Sequence, residues 1–402
     1  MKPFSFAHVA DIHLGYEQYN LAARREDFDR AFQEVIEKII ELKPNFVIVA
    51  GDLFHHARPS NATLEVAIKN FRLLMEAGIQ TLAVEGSHDA APNLITGTIL
   101  NPLDSAGLIY YLPRHEYASW ETEDVYVYGV PNYRTRERTE KGLQEFYGQK
   151  KPNPREDKFN IFAFHMALDI PEILGGRPRS IAEASPNIIP EGFDYYAGGH
   201  LHTPWQFPFK GALLVYSGST ETVTYEEAEV KKGFYHVKVS GKNDFEIERI
   251  PLETPRRFKV LEKDYTGLTP QQIVEKVVEL IREIDEDGAV IVPVIKGTLA
   301  AETTKRELDL TRIRNAAEKA LIVHPVVAVG ERGLPEETIR SIFEGEMRDL
   351  KNKAIAYFTE YFAQRRGAQE AERYAHIAVD LIQHLLKGDE EAVRRILEEA
   401  AE

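Results

Sequence analysis

Asn45-Phe46-Val47-Ile48-Val49-Ala50-Gly51-Asp52-Leu53-Phe54-His55 is an apolar run that closes on a glycine and a carboxylate. A run of this kind reads as a strand buried on both faces, as in a parallel sheet. It delivers Asp52 at its C-terminal end, and open α/β sheets bind ligands just outside that end. Four other segments close the same way: Val9-Ala10-Asp11-Ile12-His13, Val84-Glu85-Gly86-Ser87-His88-Asp89, Phe162-Ala163-Phe164-His165 and Tyr196-Ala197-Gly198-Gly199-His200-Leu201-His202. Asp52, where they would meet, is the natural bridge between two metal ions.

Between these ends the pattern is strand, helix, strand, which predicts a layered α/β domain. Arg25 to Leu42 carries Phe28, Phe32, Val35, Ile36, Ile39 and Ile40 at helical spacing and reads as a crossover helix. Ser60 starts another helix and Gly78 ends it. Gly233–Val239 and Phe245–Ile250 read as a hairpin closing a sheet. Pro251 and Pro255 mark a boundary, giving domains at 1–252, 253–333 and 334–402. The second is a small α/β unit with a helix over Pro270–Ile284, a strand over Ala289–Ile295, a helix over Thr311–Ala320 and a strand over Val326–Val329. The third follows the break Gly333-Leu334-Pro335 and holds two helical segments, Glu336–Gln364 and Ala371–Ala400.

Composition narrows the function. At 402 residues the chain exceeds one compact core. No apolar run spans a bilayer and no signal segment leads the chain, so it reads as cytoplasmic, with no membrane partner. With no cysteine, disulfides and thiolate zinc sites are excluded. A net charge of −15 argues against coating nucleic acid by bulk electrostatics, although bound cations can invert the field at a site.

A two-metal hydrolase needs hard carboxylates and neutral imidazoles around ions roughly 3.5–4 Å apart. Asp11 and His13 are two apart on an extended segment, so their side chains leave one face and can grip one ion; His200 and His202 share that spacing. An isolated Asp-x-His or Gly-Asp is commonplace. All five motifs in one chain, each after an apolar strand, are not.

These motifs, in this order, resemble the signature of the calcineurin-like metallophosphoesterases. Asp11-Ile12-His13-Leu14-Gly15, Gly51-Asp52-Leu53-Phe54-His55 with Arg58-Pro59-Ser60, and Tyr216-Ser217-Gly218-Ser219 resemble the SbcD-type DNA repair nucleases, which include the meiotic recombination eleven nuclease. The resemblance implies a metallophosphoesterase β-sandwich flanked by helices, with 253–333 capping DNA. It implies two Mn²⁺ ions, with Mg²⁺ as a substitute: Asp11, His13 and His202 on the first, His165 and His200 on the second, Asp52 bridging. His88 would face the scissile phosphate without ligating, Asp89 would orient it or else serve as a plain N-cap or turn residue, and His55 would be a further histidine near the site; His56 reads as a solvated loop residue. The superfamily usually ligates the second ion through an Asn where this chain has Ser87, so Ser87 is a weaker candidate ligand.

The implied activity is 3′-to-5′ exonuclease action on duplex ends and endonuclease action on single strands. A phosphatase or small-molecule phosphodiesterase on the same scaffold, and a weakly catalytic DNA-tethering subunit, are the rivals. The implied partner is a Rad-fifty-type (SbcC-type) coiled-coil ATPase, bound by the C-terminal helices. The stripe Ile339, Ile342, Phe343, Met347, Leu350, Ala354, Tyr357, Phe358, Tyr361 and Phe362, and a second over Ile377, Leu381, Ile382, Leu385, Val393 and Ile396, have apolar area for it, although the two helices could also cover each other in part. A homodimer would form through Leu64, Ile68, Phe71 and Met75 with Leu94, Ile95 and Ile99, which could equally pack on the chain's own sheet. Arg134–Lys141 and Arg256-Arg257 read as solvated charge, Gly175–Arg179 as a loop able to touch phosphate, and Trp205 as packing rather than base stacking.

Overall fold

The computed structural model describes residues 1–90, 97–174, 182–242, 244–301, 303–330, 354–359, 361–363, 368–386 and 390–401. The break Gly333-Leu334-Pro335, the first part of the apolar stripe from Ile339 to Leu350, the Gly175–Arg179 loop, and Leu94 and Ile95 lie outside them.

Two six-stranded sheets form the centre. The first runs β12-β11-β1-β2-β3-β4. In it β1 (Phe4–Val9), β2 (Phe46–Ala50), β3 (Gln80–Val84) and β4 (Tyr110–Tyr111) are parallel. The hairpin β11 (Gly233–Gly241) and β12 (Asp244–Pro251) adds two antiparallel strands beside β1. The second sheet runs β5-β6-β7-β8-β10-β9. Its parallel middle is β6 (Val125–Gly129), β7 (Phe159–His165), β8 (Tyr195–Gly199) and β10 (Ala212–Tyr216), between the antiparallel edges β5 (Ser119–Glu121) and β9 (Trp205–Phe209).

Strand alternation sorts the apolar residues into layers. On β2, Phe46, Ile48 and Ala50 face one core with Leu82, Val84, Val127, Ile161, Ala163 and Val215, which come from both sheets. Val47 and Val49 face the opposite core, under the helices. There α1 (Ala22–Leu42) buries Phe28, Ala31, Phe32, Val35, Ile36 and Ile39, and α2 (Asn61–Glu76) buries Ala67, Phe71 and Leu74. Each large apolar side chain buried this way contributes about 1.5–3 kcal/mol. Ser60 caps α2, accepting from the Thr63 amide at 3.1 Å. Outside the second sheet, α3 (Arg136–Gln149) covers a third core of Tyr128, Phe162, Phe164 and Tyr196. This is the layered α/β domain that the apolar runs predict, in the form of the β-sandwich flanked by helices that the resemblance implies.

The described chain forms two units. The first takes Met1–Lys263, Val274–Ile295 and Leu310–Val327; the second takes Asp264–Ile273, Lys296–Asp309 and Ala328–Glu402. In the first, a smaller core joins Phe258, Val290, Val292 and Val294, with Tyr19, Tyr225 and Ile322 packed on it. Also in the first unit, Arg24 is fully buried and donates to Asp27, Gln18, Glu221 and the Thr222 carbonyl. Arg256 reaches the same Asp27 carboxylate, so it is ion-paired rather than solvated.

Two expected helices differ. The one expected over Thr311–Ala320 is a single turn, Leu310–Arg314. The amides of Glu318, Lys319 and Ala320 are instead taken by the Asp285 carboxylate, a local alternative to helical bonding. In the second unit, the segment expected as one helix over Ala371–Ala400 is two, Ala368–Leu386 and Glu390–Ala401. On α2, Phe71 belongs to the core, whereas Leu73 and Met75 are about half exposed.

Candidate metal centre

Strands β1, β2 and β3 of one sheet and β7 and β8 of the other end together, and the five motifs follow those ends. After β1 and β2 the two loops are zipped: Asp11 N donates to Gly51 O, Ile12 N and His13 N to Asp52 O, and Leu14 N to Leu53 O. Asp11, His13, Asp52 and His200 all have positive φ, at 54°, 52°, 51° and 92°. Non-glycine residues adopt this region only where surrounding contacts impose it, and such strain gathers at functional sites.

Glycines let the two sheets touch here. A Cβ on Gly51 would sit 2.4 Å from the His165 ring, and one on Gly199 would sit 1.9 Å from the Ala50 carbonyl oxygen. That carbonyl accepts from His165 Nδ1 at 2.8 Å. The bond fixes the tautomer and leaves Nε2 facing Asp52 Oδ2 at 3.2 Å and Asp11 Oδ1 at 3.9 Å. Asn132 steadies the same residue from behind, donating to its carbonyl.

Around Asp11, His202 Nε2 lies 3.8 Å from Oδ1 and 3.3 Å from His13 Nε2. Two ring nitrogens at that separation must share a proton or a cation. Asp11, His13 and His202 therefore form one group of converging donors; Asp11, Asp52 and His165 form a second, and His13, His55 and His88 a third. The first group matches the expected ligands of the first ion. The second unites Asp52 and His165, with Asp11 in place of His200, whose ring centre stands 5.3 Å from that of His165. Ser87 is half-buried and lines the same cavity as Asp52, His88, His200 and His202.

The charges suit a cation. Burial opposes ionisation of Asp52, but His165 and its neighbours hold its carboxyl well below the usual range. Burial also opposes protonation of His165, yet Asp52 and Asp11 push it up to about 10. Positive charge is strongly favoured between those carboxylates. Burial drives His200 and His55 down to about 3 and His13 well below its ordinary value, so these imidazoles are neutral and their lone pairs are free to ligate.

Three further placements bear on the chemistry. His88 Nδ1 donates to the His55 carbonyl at 2.8 Å, so Nε2 is the atom able to take or give a proton. The His88 amide donates to Asp52 Oδ1 at 2.8 Å. Asp89, expected to orient His88, is fully buried and accepts instead from the amides of Leu53, Phe54 and Gly86. It braces the Asp52 loop, because only a carboxylate can satisfy three inward-pointing amides at once. His55 stacks between Tyr16 and His88, at 3.7 and 4.8 Å between ring centres, and His56 is exposed.

One residue escapes sequence reasoning. Glu227 lies 25 positions beyond His202 in Thr224-Tyr225-Glu226-Glu227, which reads as a capping box and is one. The same carboxylate accepts from His202 Nδ1 at 2.6 Å and pairs with buried Lys232 at 2.6 Å.

The family model described as calcineurin-like phosphoesterase matches residues 4–204, half of the chain and every converging ligand. The chain belongs to the calcineurin-like phosphoesterases. Like that family, it is a metal-dependent phosphodiesterase. The curated relatives of this calcineurin-like phosphoesterase include proteins named DNA double-strand break repair protein Mre11. The one from Archaeoglobus fulgidus is 29% identical, covering 99% of this chain and 89% of its own length. That from Methanocaldococcus jannaschii is 33% identical over 64% of this chain and 69% of its own. That from Aeropyrum pernix is 26% identical over 98% and 95%. Glu227 lies beyond the family match.

Proposed function

We propose that this chain is a Mn²⁺-dependent DNA nuclease that processes double-strand breaks in the cytoplasm, acting as a 3′-to-5′ exonuclease on duplex ends and an endonuclease on single strands. The observation that carries the phosphodiesterase chemistry is the convergence of Asp11, His13, Asp52, His165 and His202 in overlapping donor groups. The DNA substrate is supported by the relatives named for double-strand break repair, one of which aligns along nearly the whole chain.

In this reading Asp11, His13 and His202 would hold one ion, His165, His200 and Ser87 the other, and Asp52 would serve both. Bound there, the ions supply electrostatic stabilisation of the phosphoryl oxygens and lower the pKa of the attacking water. His88, its Nδ1 anchored, presents Nε2 to the leaving oxygen as proton donor. His55 keeps that ring in place by stacking, and Asp89 keeps the bridging carboxylate in place through the backbone. Ser87 has a shorter reach than an amide side chain, so the second ion is the weaker one.

The organisation proposed with it is a nuclease domain at 1–252, a DNA-capping unit at 253–333 and a C-terminal segment at 334–402 that binds the coiled-coil of a Rad-fifty-type ATPase. In the surface proposed for a homodimer Met75 is exposed, and the exposed Leu73 adds to it. Mn²⁺ titration with an end-labelled blunt duplex and hairpin, against bis(p-nitrophenyl) phosphate, tests the activity. Ester hydrolysis without DNA cleavage would favour a small-molecule phosphodiesterase, and DNA binding without hydrolysis of either a tethering subunit. Deleting residues after 333 should abolish ATPase co-purification and spare nuclease activity.

A further inference from the structure

The metal-centre cavity has a volume of about 560 Å³, within the range of small-molecule sites. Its lining combines the polar Asp52, His88, His200 and His202 with the apolar Leu201 and Trp205. A phosphate group engages only the polar members. The apolar members suit a flat apolar group carried next to the phosphate.

Trp205 is placed for that. The chain's other tryptophan, Trp120, packs on Phe46 at 5.3 Å between ring centres. Trp205 is 36% exposed and, among the described residues, makes no ring contact. Its backbone is not free to drift. It opens edge strand β9, paired with Tyr216 of β10, three residues after the ligand His202. The His202 carbonyl accepts from the Ser219 amide at 3.1 Å, and Pro204 lies against Gly218, where a Cβ would sit 3.1 Å away. The residue is thus held on a paired strand beside a candidate metal ligand, and its partly exposed side chain is in the cavity lining.

We propose that Trp205 is a nucleobase platform: the base of a nucleotide bonded to the scissile phosphate stacks on its indole while the phosphate sits over the metal ligands. Every base has a π-face, so such a platform holds a nucleotide without selecting sequence. This fits an enzyme that degrades DNA irrespective of sequence, and the proposal rests on the nuclease reading.

The test compares wild type, Trp205→Ala and Trp205→Phe on a blunt duplex in Mn²⁺. A second pair of duplexes carries a stable abasic residue on one side or the other of the scissile phosphate. Bis(p-nitrophenyl) phosphate reports wild-type phosphodiester hydrolysis. Loss of one base–aromatic stack predicts a fall in kcat/KM of between about five- and 150-fold for Trp205→Ala on intact DNA. Trp205→Phe should retain most of the activity. On one of the abasic substrates, wild type and Trp205→Ala should become equal, because the stacking partner is gone. Equal losses on intact and abasic DNA, or no loss on intact DNA, would overturn the platform and leave the nuclease reading standing. Wild type that hydrolyses the ester but no DNA would overturn both.

Discussion

Replacing Glu227 by glutamine tests whether a residue outside every metal-type motif controls the metal centre. The carboxylate accepts from His202 Nδ1, Lys232 Nζ, Ser219 Oγ, Thr224 Oγ1 and the amides of Val223 and Thr224. Burial opposes its ionisation, but His202 and Lys232 outweigh that and keep it charged. Glutamine has the same shape with one acceptor oxygen, and its NH₂ cannot accept from either partner. Two losses follow. Lys232, buried and cationic, loses its counter-charge, and breaking a buried pair from one side costs about 3–5 kcal/mol. His202 also loses its charged acceptor, because the one oxygen left is neutral and can face His202 or Lys232 but not both; partners that hold Nδ1–H and aim Nε2 are worth roughly 10–100-fold in metal affinity, or about 1.4–2.7 kcal/mol. Titration calorimetry with Mn²⁺ measures the second, and urea unfolding the first. Lys232→Met separates them: it should cost stability while leaving Mn²⁺ affinity near wild type, since the Glu227–His202 bond survives. The double variant Glu227→Gln/Lys232→Met should recover stability but not affinity. A folded Glu227→Gln protein binding Mn²⁺ as tightly as wild type would refute the reasoning.

Other consequences are equally direct. Asp52→Ala should bind neither ion, whereas His88→Ala should keep both and lose about 10²–10⁴-fold in rate, the usual worth of a positioned proton donor; elemental analysis of the purified variants decides, and a metal-free His88 variant would contradict its non-ligand role. Ser87→Asn, with a longer amide arm, should move the Mn²⁺ dependence of activity to lower concentration without changing substrate choice, and identical titration curves would remove Ser87 from the second ion. His8, fully buried and bonded to Tyr195 Oη at 2.9 Å, is pushed by burial from 6.5 to about 3. The unfolded chain therefore takes up a proton that the folded chain refuses, so stability falls as pH drops below 6.5 and stops falling near 3. This penalty is about 2 kcal/mol at about pH 5. His8→Asn, whatever its cost at neutral pH, should flatten that part of the stability profile in denaturant unfolding; an unchanged slope would show that His8 is protonated in the fold.

Much of the site is visible in the sequence because its parts are local. An apolar run of strand length followed by Gly-Asp or Gly-Gly-His states both a buried strand and the chemical group at its end, and neither statement needs a distant residue. The layers follow similarly: the alternation in Phe46 to Ala50 and the helical spacing in Phe28 to Ile39 each specify which face is buried. Where a local rule competes with a distant partner, the local reading fails. The stretch after Arg314 has helical composition, yet Asp285 takes its amides. Asp89 follows His88 directly, yet its carboxylate turns to the Asp52 loop.

What the sequence by itself determined, then, is the class of fold, the residues able to hold metal and the family they belong to. The tertiary structure alone decided how they are held: left-handed backbone at Asp11, His13 and Asp52, carbonyl anchors behind His165 and His88, a brace in Asp89 and a buried carboxylate behind His202. The physical reason is that periodicity and strand-end chemistry are properties of neighbours along the chain. A hydrogen bond such as Glu227 to His202 exists only once β8, β9, β10 and the turn after them have been packed against β1, and no spacing in the sequence encodes that approach.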